Sequence, residues 1–460
     1  MSADRAVVRA HPPVQRRAIA PASGAQEHDN QVRRVPQRSF LFLQGLAGPF
    51  FSKLGQALAR DGHAVHRINL NGGDKIYWRG RAVDYRGTLK GWPAFLTRTI
   101  EQAGVTDIVL FGDCRPLHQA AIAVARARGV QIHVFEEGYV RPDFVTLEDG
   151  GVNGHSALSR DPDHYLAAAR ALPPLPDVQP PVPSSFGRRV REDLIYNFAS
   201  LALAPLFPGY RTHRPWHILH EYAGWAFRLM RRGPERLRSA ETLSRLDATG
   251  RPYFVFPLQL DCDYQIRVHS HFKGMQPAIE QVLGSFVRNA PAEALLVVKG
   301  HPLDNGLVDW EKRVTQVAAK LGASDRILFL ESVDIDSLVR RSRGLVTVNS
   351  TTGTLSLRYG VPTIVLGDAV YDMPRMTDQN GLDHFWDQPT PPEAEVFAAY
   401  RRVLIDTCLI NGGYFSDQAL DMLVAGAAAR LEASPAPAAV VRIATTPRRA
   451  AAATAIPARG

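Results

Sequence analysis

Strand and helix patterns alternate in two separate series along this chain, which predicts an α/β fold of two Rossmann-like halves. Three observations carry that prediction. Short apolar runs recur at βαβ spacing from residue 39 to 135 and again from 253 to 366. Each run stops at glycine, proline or polar residues ahead of an amphipathic stretch, as a buried strand feeding a helix does. Between the two series, residues 171–185 are proline-rich, and residues 186–246 are helical, aromatic and arginine-rich, a connector rather than a third sheet.

The first strand covers residues 39–43 (SFLFL) and is followed by Gln44, a Gly/Pro turn and a helix over 50–60. Strand 64–70 leads into Asn71-Gly72-Gly73-Asp74 and an aromatic, polar stretch to Gly87 that reads as a hairpin. Helix 92–103, strand 107–111, helix 116–128 and strand 131–135 complete the first half. The second half reads as strand 253–257, helix 277–288, strand 294–298, helix 310–321, strand 327–330 and helix 335–341. Strand 345–348, a short helix over 354–359 and strand 363–366 follow, and helices over 392–404 and 417–431 close the chain. The resulting divisions are a disordered basic tail (1–38), a first Rossmann-like domain (39–180) and a linker with connector (181–246). A second Rossmann-like domain (247–404), a closing helix (405–432) and a second disordered tail (433–460) follow. Two such halves make a GT-B-like arrangement with ligand in the cleft between them.

The net charge of +9 over 460 residues suggests a polyanionic partner until it is placed. Residues 1–38 hold seven Arg against three acids and residues 431–460 four Arg against one, so the body between them carries only +2. A nucleic-acid surface on the folded body loses its main support. No run approaches the 18 or so apolar residues of a membrane span, and the N-terminus has no apolar signal core. Cys114, Cys262 and Cys408 have neither disulfide nor metal-ligand spacing, which fits a reducing cytosol and predicts no metal.

Polar groups gather where strands end. Asn349-Ser350-Thr351-Thr352-Gly353 lies between a strand and a helix, where unpaired N–H groups and hydroxyls favour an anion such as phosphate. A plain helix cap uses one such residue; this loop offers four. Lys299 and His301 close the next strand, beside a proline, and are suited to donate to a phosphate or protonate a leaving group. Gln259, Asp261 and Asp263 close another, although aspartates also form turns there. In the first half, Glu136 and Glu137 stand adjacent at a strand end with Arg141 close by, a tension commoner at functional sites than on free surfaces. Alternation places Glu137 in the cleft and Glu136 towards the sheet or Arg141. Asp113, in Gly-Asp-Cys-Arg-Pro, repeats the pattern more weakly. Residues 211–238, with Trp216 and Trp225 among seven Arg, suit either an anionic lipid surface or a packed connector. Walker A, GxGxxG, HExxH and GxSxG patterns are absent, so kinase, dehydrogenase, zincin and hydrolase readings have nothing specific behind them.

These motifs resemble the capsule polysaccharide biosynthesis and export family, KpsS/LipB type. The resemblance runs over about residues 39–404 and rests on FLFLQG with Pro49-Phe50-Phe51, EEGYVRP, the Gln259–Asp263 segment, KGHP, and NSTTG with GVPTIVLGD. The opening departs from the family's usual QGP, since Leu46 follows Gly45 and proline waits until position 49. The resemblance implies a retaining β-Kdo transferase that uses CMP-Kdo as donor substrate and no cofactor. Its acceptor would be a phosphatidylglycerol-type phospholipid at the inner face of the cytoplasmic membrane, and its partners the capsule assembly and export machinery, with no nucleic acid. By position, His301 with Ser350 and Thr351, supported by Lys299, Thr352 and Gln259, would hold the donor phosphate. Glu136, Arg141 and Gln44 would serve the sugar and acceptor side, and the nucleophile would be Glu137, then Asp263, then Asp113. A non-enzymatic capsule assembly or export partner and a GT-B sugar-nucleotide epimerase are the alternative readings.

Overall fold

The structure, a computed structural model, describes residues 37–173, 181–212 and 214–434. Most of both basic tails, and the heart of the proline-rich stretch, lie outside the described residues. At their inner margins the tail boundaries need correcting. Arg38 is buried and ion-paired with Asp107, and the last helix, Asp417–Ala433, runs through residue 433. Arg38 also donates to Gln131 and to the Leu431 carbonyl, so it ties the start of the first sheet to the end of the chain.

Among the described residues the strands in chain order are β1 (Ser39–Phe42), β2 (Ala64–Asn69), β3 (Val83–Asp84), β4 (Asp107–Phe111), β5 (Gln131–Glu137) and β6 (Phe144–Asp149). They continue as β7 (Tyr253–Pro257), β8 (Leu295–Lys299), β9 (Ile327–Leu330), β10 (Gly344–Thr347), β11 (Thr363–Val365) and β12 (Leu409–Asn411). The first sheet has the order β12-β6-β5-β4-β1-β2-β3 and the second β11-β10-β7-β8-β9. The second is wholly parallel, whereas the first is parallel from β3 to β5 and carries β6 and β12 antiparallel at its edge. Both are Rossmann-like α/β sheets, as the strand–helix alternation predicts.

Each central strand is buried on both faces. Phe40 and Phe42 join helices Phe50–Arg60 and Asp417–Ala433 on one side of β1. Leu41 and Leu43, out of phase by one residue, join helices Trp92–Ala103 and Pro116–Arg126 on the other. In β7, Phe254 and Phe256 face one core and Tyr253 and Val255 another.

Two departures from the sequence expectation shape the first half. The stretch after Asn71 is a helix, Gly72–Tyr77, and not a hairpin, because the Asn71 side chain caps it by accepting from Asp74 N at 2.9 Å. Its glycines serve close packing: a Cβ on Gly72 would stand 2.2 Å from the Ala199 carbonyl oxygen of the connector helix Phe186–Ala202. Further on, β12 returns the chain to the edge of the first sheet, so the closing helix packs on helix Phe50–Arg60 and not on the second half.

Strand order reverses between β1 and β4 in the first sheet and between β7 and β10 in the second, which opens a crevice at each carboxyl edge. The two edges face each other. Thr354 Oγ1 donates to the Tyr139 carbonyl at 3.0 Å, and Cys114 Sγ lies 3.2 Å from His269 Nε2. A shared apolar core of Tyr139, Phe144 and Tyr165 with Leu357, Tyr371 and Tyr400 fixes the halves beside this cleft. No described helix is long and apolar enough to cross a membrane.

Candidate functional site

The first-half wall of the cleft is built at the end of β5. Glu137 accepts from Arg141 Nη2 on one carboxylate oxygen and from Arg189 Nη2 on the other, each at 2.8 Å. Burial alone would raise its carboxyl; the two guanidinium groups more than offset that and hold it below the usual carboxylate range. Glu136 takes the opposite course. Burial, helped by the nearby charges of Glu137 and Asp263, lifts it to about 8, so it keeps its proton at neutral pH. Alternation alone assigns Arg141 to Glu136, and the structure assigns it to Glu137. The deciding residue, Arg189, lies on the connector helix, fifty-two positions away along the chain.

The facing wall is built at the end of β8. His301 Nδ1 accepts from Leu303 N at 3.0 Å, which leaves Nε2 as the N–H donor of the neutral ring. Burial, and then Lys299, Arg141, Arg228 and Arg189, push its pKa down to about 4, so His301 is a neutral donor at neutral pH. Lys299 is held by backbone carbonyls at the end of β8. It is buried, and its ammonium donates to Gly300 O at 2.8 Å and Glu331 O at 3.4 Å. It acts on the site through its field. Arg228, from the long helix Ile218–Thr249, donates to the His301 carbonyl at 3.2 Å and pairs with Glu331.

The polar loop after β10 is held from within. Ser350 Oγ accepts from Thr352 N and donates to Thr352 Oγ1, both at 3.1 Å. The helix it starts, Thr352–Arg358, begins two residues before its predicted start, and the side chain of its cap, Thr351, makes no capping bond. Gln259 is also committed: its amide oxygen accepts from Asn349 N at 2.9 Å, which ties the end of β7 to that loop across the switch point. Its role is to fix the loop and not to present a carbonyl to the cleft.

The remaining predicted residues separate. Asp263 caps the short helix Tyr264–Arg267 by accepting from Gln265 N at 3.0 Å, and burial together with the Glu137 charge raises its pKa. Gln44 stands on the crevice between β1 and β4, but its amide nitrogen donates to Tyr196 and Tyr210 hydroxyls at 2.8 and 3.1 Å, inside the connector interface. Asp113 accepts from Val152 N at 3.1 Å and faces His155 Nδ1 at 3.0 Å. Next to it are Cys114 and His269, so Asp, Cys and two His side chains converge where cysteine spacing predicts no metal set.

The connector has two characters. Its inner face supplies Arg189 and Arg228 to the cleft. Its outer face leaves Phe186, Phe198, Trp216, Phe227, Met230 and Leu237 exposed, with Met230 at 73% and Leu237 at 75%. The connector is thus packed on one side and exposes apolar residues on the other.

The capsule polysaccharide biosynthesis protein family matches residues 106–415. Over 382 residues the chain is 35% identical to the capsule polysaccharide export protein KpsS of Escherichia coli, covering 82% of this chain and 97% of that one. It is 33% identical over 385 residues to the capsule polysaccharide modification protein LipB of Neisseria meningitidis (serogroup A), covering 82% and 92%. Among solved structures, KpsC of Thermosulfurimonas dismutans, a β-Kdo 2,7-transferase, aligns over 79% of this chain and 89% of its own. With a TM-score of 0.40 and 11% identity, that likeness is too distant to carry an argument about function. Family match and relatives agree with the motifs at the strand ends: the chain belongs to the capsule polysaccharide biosynthesis family.

Proposed function

We propose that this chain is a capsule glycosyltransferase that moves β-Kdo from CMP-Kdo to a phosphatidylglycerol-type lipid. The observation that carries the reading is the charge pattern of the cleft. A neutral His301 donor and the Arg141/Arg189 pair stand with one ionised carboxylate, Glu137, and one protonated carboxyl, Glu136. A donor bearing both a phosphate and a sugar carboxylate suits such a basic, partly desolvated cleft.

In transfer the bond between the anomeric carbon and the CMP phosphate breaks, and the phosphate leaves with the electron pair. In this reading His301 Nε2–H and the Ser350/Thr351 loop stabilise that leaving group. Retention by two displacements needs an ionised carboxylate, the form in which Arg141 and Arg189 keep Glu137. Glu136, protonated at neutral pH, can give its proton to the leaving phosphate in the first displacement and, once ionised, take the proton of the acceptor hydroxyl in the second. A lipid acceptor agrees with the exposed apolar and arginine-rich outer face of the connector.

Nucleotide binding tests the reading. By calorimetry the chain should bind CMP in preference to UMP, and His301→Ala should weaken CMP about 10–150-fold, the effect of one hydrogen bond to a charged phosphate of about 1.5–3 kcal/mol. Preference for UMP would favour a sugar-nucleotide epimerase, and indifference to both nucleotides a non-enzymatic assembly partner.

A further inference from the structure

A cluster outside the proposed chemistry joins the two sheets. Asp113 and Cys114 follow β4, His155 lies in the turn after β6, and His269 follows the short helix at the end of β7. One ligand atom from each lies within 4.8 Å of all the others. Neighbouring pairs are closer: Cys114 Sγ to His269 Nε2 is 3.2 Å, Asp113 Oδ2 to His155 Nδ1 is 3.0 Å, and Cys114 Sγ to Asp113 Oδ1 is 3.2 Å. Ligands on a common tetrahedral ion with bonds of about 2.0–2.3 Å stand roughly 3.3–3.8 Å apart. The close pairs fall just inside that figure and the widest separation, up to 4.8 Å, exceeds it, so an ion would draw the side chains together by about an ångström at the widest pair.

We propose that Asp113, Cys114, His155 and His269 form a tetrahedral site for a divalent transition metal of the zinc class. Thiolate, two imidazoles and one carboxylate are a borderline-soft set that selects zinc over magnesium or calcium. The surroundings support the assignment independently. Two glycines admit the ligands: a Cβ on Gly154 would stand 2.4 Å from His269 Nδ1, and one on Gly151 would stand 3.3 Å from Asp113 Oδ2. The Asp113 carboxylate is further oriented by Val152 N, the kind of outer contact that aims a metal ligand. Three of the four ligands are buried, and His155, the exposed one, leaves an entry path. Since His269 comes from the second half and the others from the first, the ion would clamp the cleft at a fixed opening. It would also engage Asp113 as a ligand and so remove it from the candidate nucleophiles.

The test uses the full chain, stripped with a chelator and titrated with Co2+. One equivalent should bind with the visible bands of tetrahedral cobalt and a near-ultraviolet thiolate-to-cobalt band, and Zn2+ should displace it. Cys114→Ser should abolish the thiolate band, whereas Cys262→Ser, which removes the exposed thiol, should keep it. His155→Asn, a change at an exposed position, should weaken Co2+ at least about tenfold, the scale of a lost ligand interaction. Zn2+ should raise the thermal midpoint of the wild type and not that of His155→Asn, a readout that does not require Cys114→Ser to fold. A cobalt spectrum without the thiolate band, or equal Co2+ affinity in wild type and His155→Asn, would overturn the site and leave a hydrogen-bonded bridge between the halves. CMP binding is unaffected by that outcome, so the metal site and the nucleotide site fail separately.

Discussion

Glu136 offers the most direct quantitative check on the electrostatics of the cleft. Its carboxyl rises from the ordinary 4.5 to about 8 in the fold. Between those values the folded protein keeps a proton that the unfolded chain releases. The stabilisation is therefore complete below 4.5 and is lost as pH rises through about 8. Each tenfold change in proton affinity is worth about 1.36 kcal/mol, so from about pH 5.5 to about pH 8.5 the loss has an upper bound of ~3.5 kcal/mol. Glu136 retains some solvent contact, which brings the expectation down to ~1–3 kcal/mol. Glu136→Gln keeps the volume and removes the titration. Urea unfolding at both pH values should show the wild type losing ~1–3 kcal/mol more than the variant. Other raised groups, buried His133 and the carboxyls of Glu148, Asp263, Glu331 and Asp372 among them, change stability in the same direction in both proteins and cancel in the comparison. Parallel losses in wild type and variant would refute the assignment of the proton to Glu136.

Other outcomes rest on single contacts. Asp107→Asn removes the charge that compensates buried Arg38 and His133 and should destabilise the fold by about 3–5 kcal/mol, read from denaturation midpoints. If the outer face of the connector meets lipid, a chain trimmed to residues 37–434 should sediment with phosphatidylglycerol vesicles at low salt and release as salt rises. Replacing exposed Phe227, Met230 and Leu237 by serine should abolish that sedimentation, and persistence of binding in the triple variant would place the contact elsewhere.

The parallel cores were legible in the sequence because β1, β4, β7 and β8 are buried on both faces and so read as unbroken apolar runs. β6 was not, since Thr146, Glu148 and Asp149 break its apolar run, and β12 is three residues long, too short for any period to show. The cleft itself was partly legible. Adjacent Glu136 and Glu137 announced a tension, but which of them keeps its proton depends on Arg189, brought in by the connector. Lys299 and Gln259 were recognised by position at strand ends. Position does not reveal that one is tied to Gly300 and Glu331 and the other to Asn349. The grouping of Asp113, Cys114, His155 and His269 had no signal at all, because three separate loops, one of them from the other half, deliver it.

The central claim is tested most directly by mass spectrometry of a reaction containing the chain, CMP-Kdo and a short-chain phosphatidylglycerol analogue, run beside Glu137→Gln. The account predicts a lipid product heavier by one or more Kdo residues. Loss of the Glu137 charge should slow its formation at least about 10²-fold, the low end for acid–base catalysis, while CMP binding is kept. No Kdo-bearing lipid from a wild-type protein that binds CMP, or undiminished transfer by Glu137→Gln, would contradict it.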